Sequence, residues 1–426
     1  MKKKLLITIC ASIVCSFAGC SEREFLPDNG SDSFFAQNSS VLVSSETEST
    51  QSVQSIQDTN NSLAIDNITI DYNSNHSTDE ENNNDVEDNS IEDVLTIVDE
   101  EENNVENNEK PSAVDIWRSE LKEKLELLEY YKSKSEEYEL YCFFTDLHLY
   151  DNGGYGHNCT IMNDYIPFLQ EAYLLSSADF IVCGGDLLNN GDTKSEACYK
   201  LANFDQLMKT TFNNYYFIVG NHDTNYQGNT YMESGNWNDC ILSQETLTDI
   251  LFDGKKSYYR YDTSLTTYYF FDTGIDWEDH LMTPYKAEQV TWFANDLLKD
   301  GNKHKVLFMH IPLNYEYSLT AFTLSISKIV NAYNNRKSIH IGNRLFNYSK
   351  AIGTIEFAQS GHFHKDLNNY YCGEVPFIVT TSFSAEGVAS QPTFDFVLID
   401  YSNNIVRCVR VGDGEDRLFN LQQTEA

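Results

Sequence analysis

The spacing of hydrophobic and polar residues changes character sharply along the chain. An apolar run from Leu5 to Ala18 follows Met1 and the lysines Lys2, Lys3 and Lys4. That charged-then-apolar layout is the layout of an export signal, and the run is too short to span a bilayer as a helix. From Ser21 to Glu109 patterning almost disappears: the residues are mostly Ser, Asn, Thr, Asp and Glu, with no Lys or Arg after Arg23. Such a segment buries too little apolar surface to offset its ordering entropy, which predicts a disordered tether. The β-prone runs VLVSS and NITIDY interrupt it, but isolated runs of that length rarely fold alone.

Regular patterning begins at Pro111. Over residues 111–137, Trp117, Leu121, Leu125 and Leu128 fall on one stripe among Glu and Lys, predicting an amphipathic helix that serves as a stalk or brace. Beyond it, β-type runs alternate with helical ones. LYCFF, DFIVC, YYFIV, KVLFM and IEFAQ read as strands short and apolar enough to be buried on both faces. Met162, Tyr165, Ile166, Leu169, Ala172 and Tyr173 make one helical stripe, and Val290, Phe293, Ala294, Leu297 and Leu298 make another. SYYRYD and TTYYFFDTG read as neighbouring strands joined through Ser264 and Leu265. TFDFVLIDY and NIVRCVRVG read as a closing hairpin across Ser402, Asn403 and Asn404. The expected domain is mixed α/β, without internal repeat, over residues 138–412, with 413–426 as a C-terminal tail.

Charge and cysteine content narrow the picture. The net charge of −36 and pI near 4.4 come disproportionately from the tether, and no basic patch for duplex nucleic acid is visible. Of ten cysteines, Cys10 and Cys15 belong to the export signal and Cys20 to its end, which leaves seven. Cys142 and Cys183 lie inside apolar runs and are expected to be buried thiols. No CxxC pair or regular framework points to zinc or a disulfide scaffold, while a single bridge among the others stays open.

The chemistry lies at the strand ends. LYCFF is followed by Thr145, Asp146, Leu147 and His148, and DFIVC by Gly184, Gly185 and Asp186. YYFIV leads into Gly220, Asn221, His222 and Asp223, KVLFM into His310, and IEFAQS into Gly361, His362, Phe363 and His364. Ligand sites in α/β sheets form where the carboxyl ends of strands converge, so these endings can assemble one site. The set is carboxylate, imidazole and amide without thiolate, which suits Mn, Fe or Zn and is too nitrogen-rich for a Ca or Mg cage. It is too large for one tetrahedral ion; two ions about 3.5–4 Å apart, sharing a carboxylate, would use it fully.

The blocks TDLH, GGD, GNHD, HIP and GHFH, in this order, resemble the signature blocks of calcineurin-like metallophosphoesterases. The resemblance implies an α/β fold, a β-sandwich of mixed sheets flanked by helices, with two divalent or trivalent transition-metal ions. Asp146, His148, Asp186 and His364 would hold one ion, and Asp186, Asn221, His310 and His362 the other. His222 would protonate the leaving oxygen while a hydroxide generated at the metals attacks phosphorus, with Asp223 supporting that histidine or its turn. Those family members often carry a further Asp three residues after the shared one, which orients the histidine. That position is Asn189, so Asp192 or Asp223 would substitute, or the leaving groups need little protonation. His157 is read as a loop surface residue with some reach to substrate, His280, His304 and His340 as structural or surface residues, and Tyr315 and Tyr317 as possible cleft residues.

Phe17, Ala18, Gly19 and Cys20 resemble the lipobox of bacterial lipoproteins, with Phe17 in place of the usual Leu. That likeness implies a signal peptide over residues 1–19, lipidation at Cys20, a tether over 20–110 and an envelope location outside the cytoplasm. The expected activity is hydrolysis of small or cell-envelope phosphate monoesters or diesters, with the membrane met through the lipid. Too few residues follow the domain for a separate substrate-binding domain, which disfavours a 5′-nucleotidase-like enzyme. The rival expectation, prompted by the acidic tether and Asn189, is a surface binding lipoprotein with a catalytically silent fold.

Overall fold

A computed structural model of the chain defines residues 112–149, 160–190, 192–225, 240–274, 285–299, 304–313, 321–372, 375–384 and 391–422. The export signal, Cys20, the tether, His157, His280, Tyr315 and Tyr317 lie outside them. The first stripe folds as α1 (Ala113–Lys132), opened by a capping box in which Ser112 and Asp115 satisfy each other's backbone N–H. Its Trp117, Leu121 and Leu128 are buried against the rest of the domain, so the helix is a packed brace.

The remaining elements alternate as the pattern predicts. β1 (Tyr138–Phe144) is followed by a π-type turn at Ile161–Tyr165 and α2 (Ile166–Ser176), then β2 (Phe180–Cys183), α3 (Lys194–Thr211) and β3 (Tyr215–Phe217). After α4 (Gln244–Leu251) come β4 (Tyr259–Asp262), β5 (Thr266–Phe270), α5 (Ala287–Asp296), β6 (His304–Phe308) and α6 (Ala321–Asn334). The hairpin β7 (Ser338–Ile341) and β8 (Arg344–Asn347) precedes β9 (Thr354–Ser360), β10 (Leu367–Cys372), β11 (Val375–Val379), β12 (Phe394–Asp400), β13 (Ile405–Val411) and β14 (Arg417–Asn420).

Two six-stranded sheets carry the domain, in the orders β14-β13-β12-β1-β2-β3 and β10-β11-β9-β6-β5-β4. Strands β1, β2 and β3 run parallel, as do β5, β6, β9 and β11, while antiparallel strands close one edge of the first sheet and both edges of the second. The sheets face each other across an aromatic layer that includes Tyr141, Phe143, Phe180, Tyr268, Phe270 and Phe308. A second apolar layer joins the first sheet to α1, α2, α3 and α4, and a third joins the other sheet to α5 and α6. The result is the expected β-sandwich of mixed sheets flanked by helices. Burying a face of each sheet on both sides requires near-continuous apolar strands, which is what LYCFF, FIVC and IEFAQS supply.

Both expected hairpins form: β4 pairs with β5, and β12 with β13, where Asn404 takes the left-handed backbone of the turn (φ 54°). Two readings differ. Leu298 does not share the buried stripe of α5; it is half exposed because the helix ends at Asp296 and the 3.6-residue period no longer applies. Residues 413–426, expected to be a tail, include β14, which pairs with β13 and buries Phe419. Four residues carrying a single apolar pair were too short a pattern to read as a strand.

The brace is open to a direct test. Leu128→Ala, at a wholly buried position, is expected to lower unfolding stability by about 2–5 kcal/mol in urea melts, whereas Tyr130→Ala on the exposed face of the same helix shifts it by less than about 0.5 kcal/mol.

Candidate metal centre

The parallel strands of both sheets end on the same edge of the sandwich, and the polar blocks meet there. β1 and β2 stay in register beyond their last strand residues: Asp146 N donates to Gly185 O (3.0 Å), His148 N to Asp186 O (3.1 Å) and Leu149 N to Leu187 O (2.7 Å). This zipped pair of loops sets Asp146 and His148 beside Asp186. From the other sheet, His310 follows β6 and reaches back so that its Nδ1 donates to Gly184 O (2.8 Å). A carbonyl only accepts, so Nδ1 keeps its hydrogen and Nε2 is the nitrogen left for a metal. The backbone N–H of His362, after β9, donates to the Asp146 carboxylate (3.1 and 3.2 Å).

Close approach depends on glycine at two positions. A methyl on Gly220 would collide with Asp186 Oδ1, and one on Gly361 with Thr145 Oγ1 and Asp146 Oδ2. The residues that bear the chemistry are themselves bent. Asp146 (φ 56°), His148 (50°), Asp186 (53°), His362 (74°) and His364 (51°) all occupy the left-handed region, which costs a non-glycine residue on the order of 1 kcal/mol or more. Hydrogen bonds absorb that cost: Ser382 and Ser384 donate to the carbonyls of Asp146 (2.6 Å) and Leu147 (2.7 Å), and Phe383 N donates to Thr145 O (2.7 Å).

The side chains fall into overlapping sets whose donor atoms lie within 4.8 Å of one another: Asp146, His148 and His364; His148, Asp186 and His222; Asp186, His310 and His362. Asp186 Oδ1 accepts from His222 N (2.8 Å), while its Oδ2 lies 2.7 Å from His310 Nε2 without forming a hydrogen bond. Asp186 Oδ2, His310 Nε2 and Asn221 Oδ1 are all buried without a hydrogen-bond partner. His148 Nε2 and His364 Nε2 point at each other across 2.8 Å, and His364 Nε2 is 3.3 Å from Asp146 Oδ1. Buried polar atoms left unpaired are costly in protein alone and are satisfied by a cation among them. The donor set therefore fits divalent metal.

Electrostatics agree. Burial raises Asp146 and Asp186, but neighbouring imidazoles, His310 foremost, more than reverse this and hold both carboxyls well below the ordinary range. Burial opposes the charge on His310, yet Asp186 and Asp146 raise it to about 9. His362 is lowered to about 4 by burial and by the His310 charge. Two buried anions thus demand positive charge at the centre of the cluster.

The catalytic pair expected from the sequence separates. His222 borders the cluster, its Nε2 4.0 Å from Asp186 Oδ2. Asp223 does not support the ring. Its carboxylate accepts the backbone N–H groups of Gly220 (2.8 Å), Leu187 (2.8 Å), Asp186 (3.1 Å) and Leu188 (3.3 Å), tying the second and third blocks together. Burial and the Asp186 charge raise Asp223 to about 6. Asp192 pairs with Lys200 (2.7 Å). The residue at His222 Nδ1 is Asn190, whose Nδ2 lies 2.7 Å away. Sequence reasoning pointed at Asn189, one position early; the left-handed backbone at Asn190 (φ 65°) turns the loop by one residue. Asn190 Oδ1 is buried and unpaired in this orientation.

Family comparison follows the same segment. A model described as calcineurin-like phosphoesterase matches residues 141–366, more than half of the chain. The chain belongs to the calcineurin-like phosphoesterase family. No curated protein matches it. Among solved structures, a dimetal phosphatase from Danio rerio is 11% identical with a TM-score of 0.47, covering 67% of this chain and 99% of that one. A purple acid phosphatase from yellow lupin seeds is 12% identical with a TM-score of 0.41, and this phosphoesterase spans only 54% of its length while 67% of the phosphoesterase is covered. A predicted phosphoesterase from Streptococcus pneumoniae is 10% identical, at a TM-score of 0.28, covering 67% of this chain and 99% of its own.

Beyond the site, His304 pairs with buried Glu356 (2.6 Å) and His340 is exposed on β7, both structural or surface residues as expected. Cys142, Cys183, Cys198, Cys240 and Cys408 are free, the first two as buried thiols. Among the described residues no helix is long and apolar enough to cross a membrane.

Titrating the chelated phosphoesterase with Zn²⁺ or Mn²⁺ at pH 7.5 is expected to release at least one proton per chain, because His310 is mostly protonated below about 9 and must give up its Nε2 proton to a metal. Calorimetry in buffers of different ionisation enthalpy measures this, and zero net release would mean an imidazole already neutral.

Proposed function

We propose that this phosphoesterase hydrolyses small phosphate monoesters or diesters, with two transition-metal ions held on either side of Asp186. The observation that carries the reading is the buried, unpaired Asp186 Oδ2, whose carboxylate shares one candidate donor group with His310 and His362 and another with His148, itself grouped with Asp146 and His364. When bound, ions in such a pair of sites supply a nucleophile at neutral pH and neutralise the phosphoryl oxygens. Mn, Fe and Zn suit these ligands.

The chain's own residues do the rest. His148, His310, His362 and His364 fix the coordinates of the site, and hydrogen bonds from neighbouring segments hold the left-handed turns at His148, His362 and His364. His222 stands at its border with Nε2 toward Asp186, where that nitrogen can hand a proton to a departing alkoxide. Asn190 orients the ring through Nδ1 but brings no negative charge, and the Asp186 and Asp146 charges do not fully offset the burial that lowers the His222 pKa. That favours esters whose leaving groups need little protonation. The acidic composition argues against duplex nucleic acid as substrate, leaving small or cell-envelope phosphate esters. With its export signal and Cys20, the phosphoesterase would act outside the cytoplasm, lipid-anchored to the membrane, its acyl chains contributing about 0.8 kcal/mol per buried methylene.

The purified protein, assayed on p-nitrophenyl phosphate and bis-p-nitrophenyl phosphate beside a metal determination, should carry two ions per chain. Asp186→Asn is expected to cost more than the roughly 10–100-fold lost when an outer partner of a metal ligand is removed. Two bound ions without turnover would favour the silent binding protein, and fewer than two would end the dinuclear reading. His222→Ala should lower kcat by about 10²–10⁴-fold on alkyl phosphates, with a much smaller loss on p-nitrophenyl esters. Asn190→Asp supplies the missing charge, so the basic limb of the alkyl-phosphate pH profile is expected to move up by about one unit. An unmoved limb would remove His222 from proton donation.

A further inference from the structure

The loop bearing His362 and His364 ends at Asp366, which is also the last residue of the family match. The groups that hold Asp366 lie beyond that match. Arg410, on β13, is among the largest wholly buried side chains of the domain. All five of its N–H donors are engaged. Nε donates to Asp395 Oδ1 (2.9 Å), Nη1 to Asp366 Oδ2 (2.9 Å) and Asp413 O (2.6 Å), and Nη2 to Asp366 Oδ1 (2.8 Å) and Asp395 Oδ2 (3.2 Å). Arg417, on β14, donates to Asp395, to Val379 O (2.6 Å) and to Thr380 Oγ1 (3.3 Å), and lies 3.3 Å from Asp366. Two guanidiniums thus close on two carboxylates.

From this cluster two links reach His364. One is the chain itself, two residues long. The other runs through Thr381, whose N–H donates to Asp366 Oδ1 (3.1 Å) and whose hydroxyl donates to His364 O (2.9 Å). Gly414 (φ 115°) closes the β13–β14 turn over the cluster, and a methyl there would strike both Arg410 Nη1 and Asp366 Oδ2. Buried ion networks are poor sources of stability, since apolar replacements of similar volume are often as stable or more so. What such a network does provide is one geometry. The neighbouring loop needs that, because His362 and His364 both hold backbone conformations that would relax if the loop were free.

We infer that Arg410 and Asp366 are positioning residues for the metal centre, through which the C-terminal strands hold the His362–His364 loop in its metal-binding conformation. The inference rests on the dinuclear reading proposed above. Arg410 also binds in a planar, two-sided manner that lysine cannot reproduce, so charge alone will not rescue it.

The test uses the full chain with Zn²⁺ alone, comparing Asp366→Asn, Arg410→Lys and Thr381→Val with Val406→Ala, a cavity on β13 that leaves Asp366 untouched. Zn²⁺ affinity is read by chelator competition and thermal stability alongside it. The three loop variants are expected to bind one of the two ions about tenfold or more weakly, whereas Val406→Ala keeps both affinities at a comparable loss of Tm. Unchanged affinities in the loop variants, or equal weakening in Val406→Ala, would overturn the inference. Should Arg410→Lys and Asp366→Asn fail to fold, Thr381→Val decides by the same criterion. A wild-type chain that binds no second ion would instead refute the dinuclear reading itself.

Discussion

The domain depends on a backbone constraint: five residues of the metal cluster sit in left-handed conformation at the ends of strands from both sheets. Each turn bends sharply within one or two residues of the strand, which is how imidazoles and carboxylates that leave their strands in different directions arrive at one point. A loop in isolation would not keep such angles. They persist because neighbouring segments grip the same turns from several sides, Ser382, Ser384 and Phe383 as donors and the Asp223 carboxylate as acceptor. The rigid sandwich provides the platform, and its dry aromatic interior between the sheets keeps the platform from sliding.

Charge is organised around the same constraint. Asp146 and Asp186 are wholly buried, a situation that would cost several kcal/mol per ion without compensation. Among protein groups, His310 offers the principal counter-charge, raised to about 9, while His362 is driven to about 4 and stays neutral. The cluster thus pairs an imidazole that shares the load of the carboxylates, His310, with one held as a neutral donor, His362. A divalent ion replaces the proton on His310 with a larger charge at nearly the same place. Metal preference and acid sensitivity are therefore two expressions of one charge balance.

How much of this was legible in the sequence follows from the range of each interaction. The five buried strands, the helix stripes and the ordered polar blocks are local patterns of period 2 or 3.6 ending in polar residues, and they read correctly. So did both hairpins, whose turns announce themselves with small polar residues. What was not legible depended on positions far apart in the chain. Asn190 rather than Asn189 faces His222, and of the two supports open to Asp223 the structure selects the turn, because the second and third blocks lie side by side. The paired arginines were invisible for the same reason, and β14 because its pattern is so short. Arg410 and Arg417 look like ordinary surface charges in NIVRCVRVG and DRLFN until the sheet places both against Asp395.

The sheet order has a consequence in time as well as in space. All the candidate ligands lie before Asp366, yet β1, which leads to Asp146 and His148, is flanked on one side by β12. The first strand made is thus paired with one of the last, and such long-range closure carries a loop-entropy cost that slows folding. A growing chain would have every donor atom available long before it had a place to put them. The strand that leads to Asp146 and His148 therefore gains its antiparallel neighbour only when the closing hairpin has been made.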